Sequence, residues 1–179
     1  MKPAIQRRVA LALVAALALS ACDGHGGEGA DCPPGAKQKT PSGFCVPRYL
    51  SLKRGEVFGR LGPGRDYATV FVYRAQGLPV QVVDETADWR RICDPDGGAA
   101  WVSRVMLAGQ RTVMNKGAAP VVMRRGPSDT SGVAAYLRPR SVAELGRCRN
   151  GWCEISAGGT GGWVKSSEVW GLAPQPQCR

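Results

Sequence analysis

Short apolar runs alternate with chain breakers through most of this sequence. Between Tyr49 and Val102 the runs are Tyr49-Leu50-Ser51-Leu52, Val70-Phe71-Val72-Tyr73, Val80-Gln81-Val82-Val83, Trp89-Arg90-Arg91-Ile92 and Ala100-Trp101-Val102. Gly62-Pro63-Gly64, Gly77-Leu78-Pro79 and Asp94-Pro95-Asp96-Gly97-Gly98 fall between them. Runs of this length, bounded by Gly and Pro, predict short strands, and their even spacing predicts a small all-β barrel. No long amphipathic helix is written into the pattern.

The same order then returns as Val121-Val122-Met123, Gly126-Pro127, Val133-Ala134-Ala135-Tyr136-Leu137, Ser141-Val142-Ala143-Glu144-Leu145, Trp152-Cys153-Glu154-Ile155 and Gly161-Gly162-Trp163-Val164. Arg60 and Arg124 lie 64 positions apart, Trp89 and Trp152 63, and Trp101 and Trp163 62, so unrelated landmarks keep one period. The expected fold is therefore all-β, with two tandem barrels over residues 47–114 and 115–173 and a short tail, 174–179. Units this small stand near the lower limit at which one core is stable alone, so crosslinks are expected to contribute.

The amino-terminal stretch follows another pattern. A basic start, Lys2 with Arg7 and Arg8, precedes an uncharged apolar run from Val9 to Leu19, which is the pattern of a secretory signal. The run is too short to span a hydrocarbon layer of about 30 Å as a helix. Its end, Leu19-Ser20-Ala21-Cys22, resembles the bacterial lipobox. That resemblance implies cleavage after residue 21 and a lipid on Cys22, leaving the protein on a membrane rather than in it. Asp23 stands where an inner-membrane retention signal sits in some lineages, and the choice of membrane, inner or outer, stays open. The Gly- and Pro-containing stretch that follows, 22–46, reads as a lipidated flexible tether.

Charge and cysteine then narrow the chemistry. Without the three basic residues of the signal, 21 basic residues stand against 14 acidic ones, a net of +7. In an exported protein that charge meets headgroups and wall carboxylates and not nucleic acid. Of the seven cysteines, six remain after Cys22, an even number that points to disulfides in a periplasmic compartment. Asn150-Gly151 predicts a two-residue type I′ hairpin, which sets Cys148 opposite Cys153 within disulfide range. Cys32, Cys45, Cys93 and Cys178 allow three connectivities, among which the expected one is Cys32–Cys45 with Cys93–Cys178. There is no Cys-x-x-Cys, and the one histidine, His25, lies in the tether, so neither a metal nor another cofactor is expected.

Pro47-Arg48-Tyr49-Leu50-Ser51-Leu52-Lys53, Arg60-x-Gly62-Pro63-Gly64-x-x-Tyr67, Val72-Tyr73-Arg74, Gly77-Leu78-Pro79-Val80, Trp89-Arg90-Arg91-Ile92 and Gly98-x-x-Trp101-Val102, with Trp163-Val164 and Trp170-Gly171 in the second copy, resemble the bacterial Src-homology-3 (SH3b) domain. Gly59 departs from the pattern, which more often has Asn there. The resemblance covers about Pro47 to Gly171 and implies SH3-like barrels serving as recognition modules for cell-wall peptide or glycan. No catalytic domain accompanies them, and the chain is expected not to be an enzyme. Asp84, Glu85, Asp88, Asp94 and Asp96 are read as turn and hairpin residues.

For ligand binding, the candidates are Tyr67, Tyr73, Trp89 and Trp101 in the first copy and Tyr136, Trp152, Trp163 and Trp170 in the second, with Arg90 beside them. A core role for Trp101 and Trp163 competes with that reading. The expected partner is peptidoglycan, with an envelope protein as the alternative. Arginine beside aromatic residues would favour the wall, and an uncharged apolar patch would favour the protein. Finally, Glu85 and Arg90 stand in the first copy where the second has Cys148 and Cys153.

Overall fold

The computed structural model describes residues 40–178 together with Cys32 and Ala36, so Cys22, His25 and the signal lie outside the described residues. Two antiparallel sheets follow one another along the chain. The first contains β1 (Arg48–Leu52), β2 (Val57–Arg60), β3 (Thr69–Tyr73), β4 (Pro79–Glu85), β5 (Trp89–Cys93), β6 (Ala99–Ser103) and β7 (Leu107–Ala108), in the order β3-β2-β6-β5-β4-β1-β7. The second contains β8 (Thr112–Met114), β9 (Val121–Arg124), β10 (Val133–Leu137), β11 (Val142–Arg149), β12 (Trp152–Ala157) and β13 (Thr160–Lys165), in the order β10-β9-β13-β12-β11-β8. Each copy also has a single 3₁₀ turn after its last long strand, Arg104–Met106 and Ser166–Glu168. The molecule is all-β, with two tandem SH3-like units.

The repeated Arg-x-Gly-Pro signature has a local cause. Arg60 Nη1 donates to the Tyr67 carbonyl at 2.7 Å, and Arg124 Nη1 donates to the Ser131 carbonyl at 2.8 Å. Each guanidinium thereby closes the loop that its own turn opens, meeting a backbone acceptor the sheet leaves unpaired. Gly62 is required by contact: a Cβ there would come 2.4 Å from the Tyr67 ring, which lies across the turn.

Alternation fills two separate cores. Val57, Val80, Val82, Ile92 and Val102 are fully buried in the first, and Val113, Met123, Ile155 and Val164 in the second. β8 stands between them, because neighbouring residues of a strand point to opposite faces: Val113 enters the second core and Met114 the first. The apolar pattern places 112–114 at the end of the first barrel; in the structure these residues pair with β11 of the second sheet, while Met114 still packs in the first core. Arg140 N–H donates to the Asn115 carbonyl as Gly77 N–H does to that of Leu52, so β8 opens the second repeat as β1 opens the first. An apolar three-residue strand carries no mark of the sheet it will join.

The tether reading also changes at its carboxyl-terminal end. Val46 is buried in the first core, and Ser42 N–H donates to Glu85 Oε1 at 3.0 Å. From residue 40 onward the stretch packs on the first barrel, held by a buried carboxylate and by the Cys32–Cys45 disulfide, whose Cα atoms are 5.6 Å apart.

The two barrels form a single packed body. Arg140 donates through Nη1 and Nη2 to the two Asp96 oxygens at 2.7 and 2.8 Å. Arg140 holds a left-handed φ of 62° where the first copy has Gly77 at 77°. A residue with a side chain is less favoured there than glycine. Tyr49 and Trp170 meet edge to face at 5.2 Å. The fully buried Gln81 amide donates to the carbonyls of Ala173 and Gln175 and accepts from Gln177 N–H, which fixes the tail against β4. The Cys93–Cys178 disulfide closes the same junction.

Gly171 sits at this seam with φ 120°, where an added Cβ would lie 2.8 Å from the Thr112 carbonyl oxygen. The expected result of Gly171→Ala is a loss of about 2 kcal/mol in chemical denaturation, since neither backbone can give way independently. An unchanged midpoint would show that the seam is loose.

Candidate functional site

The nine candidate residues fall into separate environments. Tyr73 is a core residue: its ring is buried, and its Oη–H donates to Asp94 Oδ2 at 3.3 Å. Burial raises its hydroxyl pKa, and the adjacent Asp94 charge raises it further. Arg90 is interior as well, its Nε 2.9 Å from Glu85 Oε2. Trp170 packs on Tyr49 between the barrels. Tyr73 and Arg90 are thus interior, because the sheet turns their side chains inward, while Trp170 is half-buried at the junction.

The Glu85–Arg90 contact is the counterpart of the second hairpin's crosslink. Glu85 faces Arg90 across β4 and β5 as Cys148 faces Cys153 across β11 and β12. In the second copy, Asn150 and Gly151 take positive φ of 49° and 78°, and the two Cys Cα atoms stand 4.1 Å apart. Where one hairpin is joined covalently, the other is joined by a buried ion pair. Arg48 Nη2 completes it, 2.6 Å from Glu85 Oε2, and the Ser42 hydroxyl donates to Oε1. Burial alone would raise the Glu85 pKa, but hydrogen bonds from Ser42, Thr40 and Arg48 outweigh it and hold the carboxyl at about 2.

The other acids along this copy are similarly engaged. Asp94 Oδ1 accepts from the N–H groups of Asp96 and Gly98 in a side-chain turn. Asp88 pairs with Arg104 at 3.0 Å, and Asp96 pairs with Arg140.

The remaining candidates reach the surface. Tyr67 and Tyr136 are exposed, while Trp89, Trp101 and Trp152 are half-buried. In the first copy, Trp101 on β6 lies in register between Arg60 on β2 and Arg91 on β5, so the three share a face. In the second copy, Arg147 and Arg149 of β11 lie over the Trp163 ring at 5.7 and 5.0 Å from its centroid. Lys165 Nζ lies 5.6 Å from the Trp152 centroid and pairs with Asp129 at 2.7 Å. Trp163 is only 6% exposed, so an approaching molecule meets its two arginines and not the ring. Arg147 also pairs with Glu154 at 3.2 Å, whereas Arg149 has no carboxylate partner among the described residues. The arrangement is a cationic surface backed by aromatic rings, able to hold carboxylates without prior ion-pair exchange at Arg149.

A second kind of surface lies on the first barrel. β3 is the edge of its sheet, and Val70, Phe71 and Val72 are all exposed, with Phe58 of β2 in register beside Val72. Sequence inspection singled out none of these, since an edge strand and an interior strand have the same apolar composition. It also missed a groove of about 680 Å³ between the barrels, walled by Leu52, Lys53 and Gly77 on one side and Thr112, Val142 and Glu144 on the other. No aromatic candidate lines it.

Comparison with known proteins adds a family. The bacterial SH3 domain matches residues 53–109 and again 117–171. No curated protein matches the chain. Among solved structures, NlpC2 from Trichomonas vaginalis is similar at 11% identity and a TM-score of 0.31, with 69% of this chain and 48% of that one covered. NlpC1 from Trichomonas vaginalis is similar at 10% identity and a TM-score of 0.31, with 78% and 50% covered. The chain thus spans about half the length of these two proteins. The three disulfides fit an exported, extracytoplasmic protein.

Proposed function

Because the chain belongs to the bacterial SH3 domain family through both of its barrels, we propose that it is a non-catalytic envelope protein, lipid-anchored through Cys22 in the periplasm, that binds peptidoglycan. The observation that carries this reading is the cationic, aromatic-backed face of β11–β13, with Arg147 and Arg149 over Trp163 and Lys165 beside Trp152. Wall peptides present carboxylates, and guanidinium groups held in place on a ring bind them with less loss of side-chain freedom than isolated surface arginines would. The acids of the first copy support the non-catalytic part of the reading, since Glu85, Asp88 and Asp96 are held by arginines and Asp94 is taken up in a turn. The lipid anchor rests on the Leu19-Ser20-Ala21-Cys22 sequence.

The test is co-sedimentation of the soluble form, beginning at Asp23, with protein-free sacculi across a range of salt. Saturable pelleting is expected, weakened about fivefold by Arg149→Ala and also by Trp152→Ala. Pelleting that disappears in modest salt and is indifferent to Trp152→Ala would leave only unspecific charge and overturn the reading.

A second reading, an accessory subunit that binds an envelope protein, is favoured by the uncharged edge of Phe58, Val70 and Val72. An exposed apolar edge strand accepts an extended segment of another chain by strand addition. Val70→Lys would abolish such an interaction and leave sacculus binding unchanged, so cross-linking in the envelope with and without that substitution separates the two.

A further inference from the structure

Beside β1 lies a cleft of about 270 Å³ lined by Pro47, Arg48, Tyr49, Arg111, Leu172 and Pro174. Tyr49 Oη is buried there, and so is Arg48 Nη1; neither atom has a hydrogen-bond partner among the described residues. A buried hydroxyl without a partner carries a desolvation cost, and such groups are rare enough in folded proteins to call for an explanation. The ring is fixed edge-on against Trp170 at 5.2 Å, so the hydroxyl is not free to turn out to water. Arg111 is oriented by donation from Nη2 to the Gly171 carbonyl at 3.3 Å, and no carboxylate pairs with it among the described residues. Burial pushes the Tyr49 hydroxyl up to about 12 while the Arg111 charge pulls against that shift, so the phenol remains a donor at neutral pH beside a cation.

One neutral O–H donor, the Arg111 guanidinium, an Arg48 guanidinium whose charge Glu85 already meets, and apolar walls define the complementary group. A dianion such as a phosphate monoester would retain an uncompensated charge in this cleft, whereas a monoanion with two acceptor oxygens is matched by the two donors. Pro47, Leu172 and Pro174 suit a small alkyl substituent next to that anion. We infer that the cleft is a subsite for the terminal carboxylate of a short peptide with small apolar side chains, accepted by Tyr49 Oη–H and Arg111. The inference rests on the wall-binding reading and names the part of the wall that would be recognised. It adds a contact at the junction of the barrels, separate from the β11–β13 face, so both barrels must be joined for this subsite to exist.

The experiment uses the oxidised soluble chain from Asp23, titrated with acetyl-D-alanyl-D-alanine, with its carboxyl-terminal amide and with inorganic phosphate, and followed by amide chemical shifts. The acid is expected to bind and to shift resonances of Arg111 and residues 172–174, with the amide about tenfold weaker. Tyr49→Phe retains the ring on Trp170 and is expected to weaken the acid about fivefold while leaving thermal stability equal or higher, because it removes an unpaired buried hydroxyl. Arg111→Gln is expected to weaken it further. Equal binding of acid and amide, no effect of Tyr49→Phe, or phosphate binding as tightly as the acid would each overturn the inference. Sacculus pelleting is measured on the same variants: pelleting that persists while the peptide acid fails to bind leaves the wall reading standing and removes only this subsite.

Discussion

Removing the Cys93–Cys178 disulfide, by Cys93→Ala together with Cys178→Ser, lowers the unfolding free energy by about 4 kcal/mol, the largest loss expected for any change in this chain. The partners are 85 residues apart, so the crosslink constrains the unfolded chain across the whole second barrel. In the chain-entropy account the stabilisation grows with the logarithm of the loop. The Cys148–Cys153 crosslink, with a separation of only 5, is expected to contribute about half as much. The native state adds to the effect, since Cys93 is fully buried opposite Gln81, and Gln81 relies on the tail for three hydrogen bonds. Freeing the tail exposes that amide to exchange between protein and water partners. Denaturant unfolding of both double variants checks the prediction. A loss no greater than that of the small hairpin would mean that the Gln81 contacts hold the tail without the covalent bond.

The sequence made the repeat, the strands and the second hairpin legible because each is dictated locally. Asn150-Gly151 requires positive φ whatever surrounds it, and the Arg60 and Arg124 turns are closed by acceptors only seven residues away. What could not be read depends on the meeting of distant segments. The repeat already aligns Glu85 and Arg90 with the facing Cys148 and Cys153, but that this pair, and Tyr73, are buried shows only once the sheet is closed. Likewise, the assignment of Thr112–Met114 follows from which sheet edge is open, and the edge exposure of Val70 and Val72 follows from strand order. The Tyr49–Arg111 cleft and the groove between the barrels arise from packing one copy against the other, a contact for which the repeat itself holds no signal. The alternation of apolar runs and breakers was therefore enough for the fold, while the cleft and the groove follow from the interface.

Glu85→Gln is expected to cost about 3 kcal/mol at neutral pH, and the cost is expected to fade as the solution is acidified. The Glu85 side chain is fully buried, with Arg48 at 2.6 Å and Arg90 at 2.9 Å on one oxygen. Its pKa falls from an ordinary 4.5 to about 2 on folding, so the folded state binds its proton less readily than the unfolded one. The sign follows from that difference. The stabilisation is complete well above pH 4.5, where both states are ionised, and it is lost as pH falls through the interval to about 2, below which both become protonated. A shift of this size corresponds to about 3 kcal/mol. Replacing the carboxylate with an amide also leaves two guanidinium groups buried without their counter-ion, which is why truncating one partner is worse than never having built the pair. Unfolding free energies of the parent and of Glu85→Gln, measured from pH 7 downward, should converge between 4.5 and 2, whereas Asp96→Asn, which removes an exposed pair to Arg140, should change little. A constant gap across that range would mean that packing, and not charge, holds Ser42, Arg48 and Arg90 around this residue. In that case the ion pair would not be the electrostatic counterpart of the Cys148–Cys153 crosslink in the second copy.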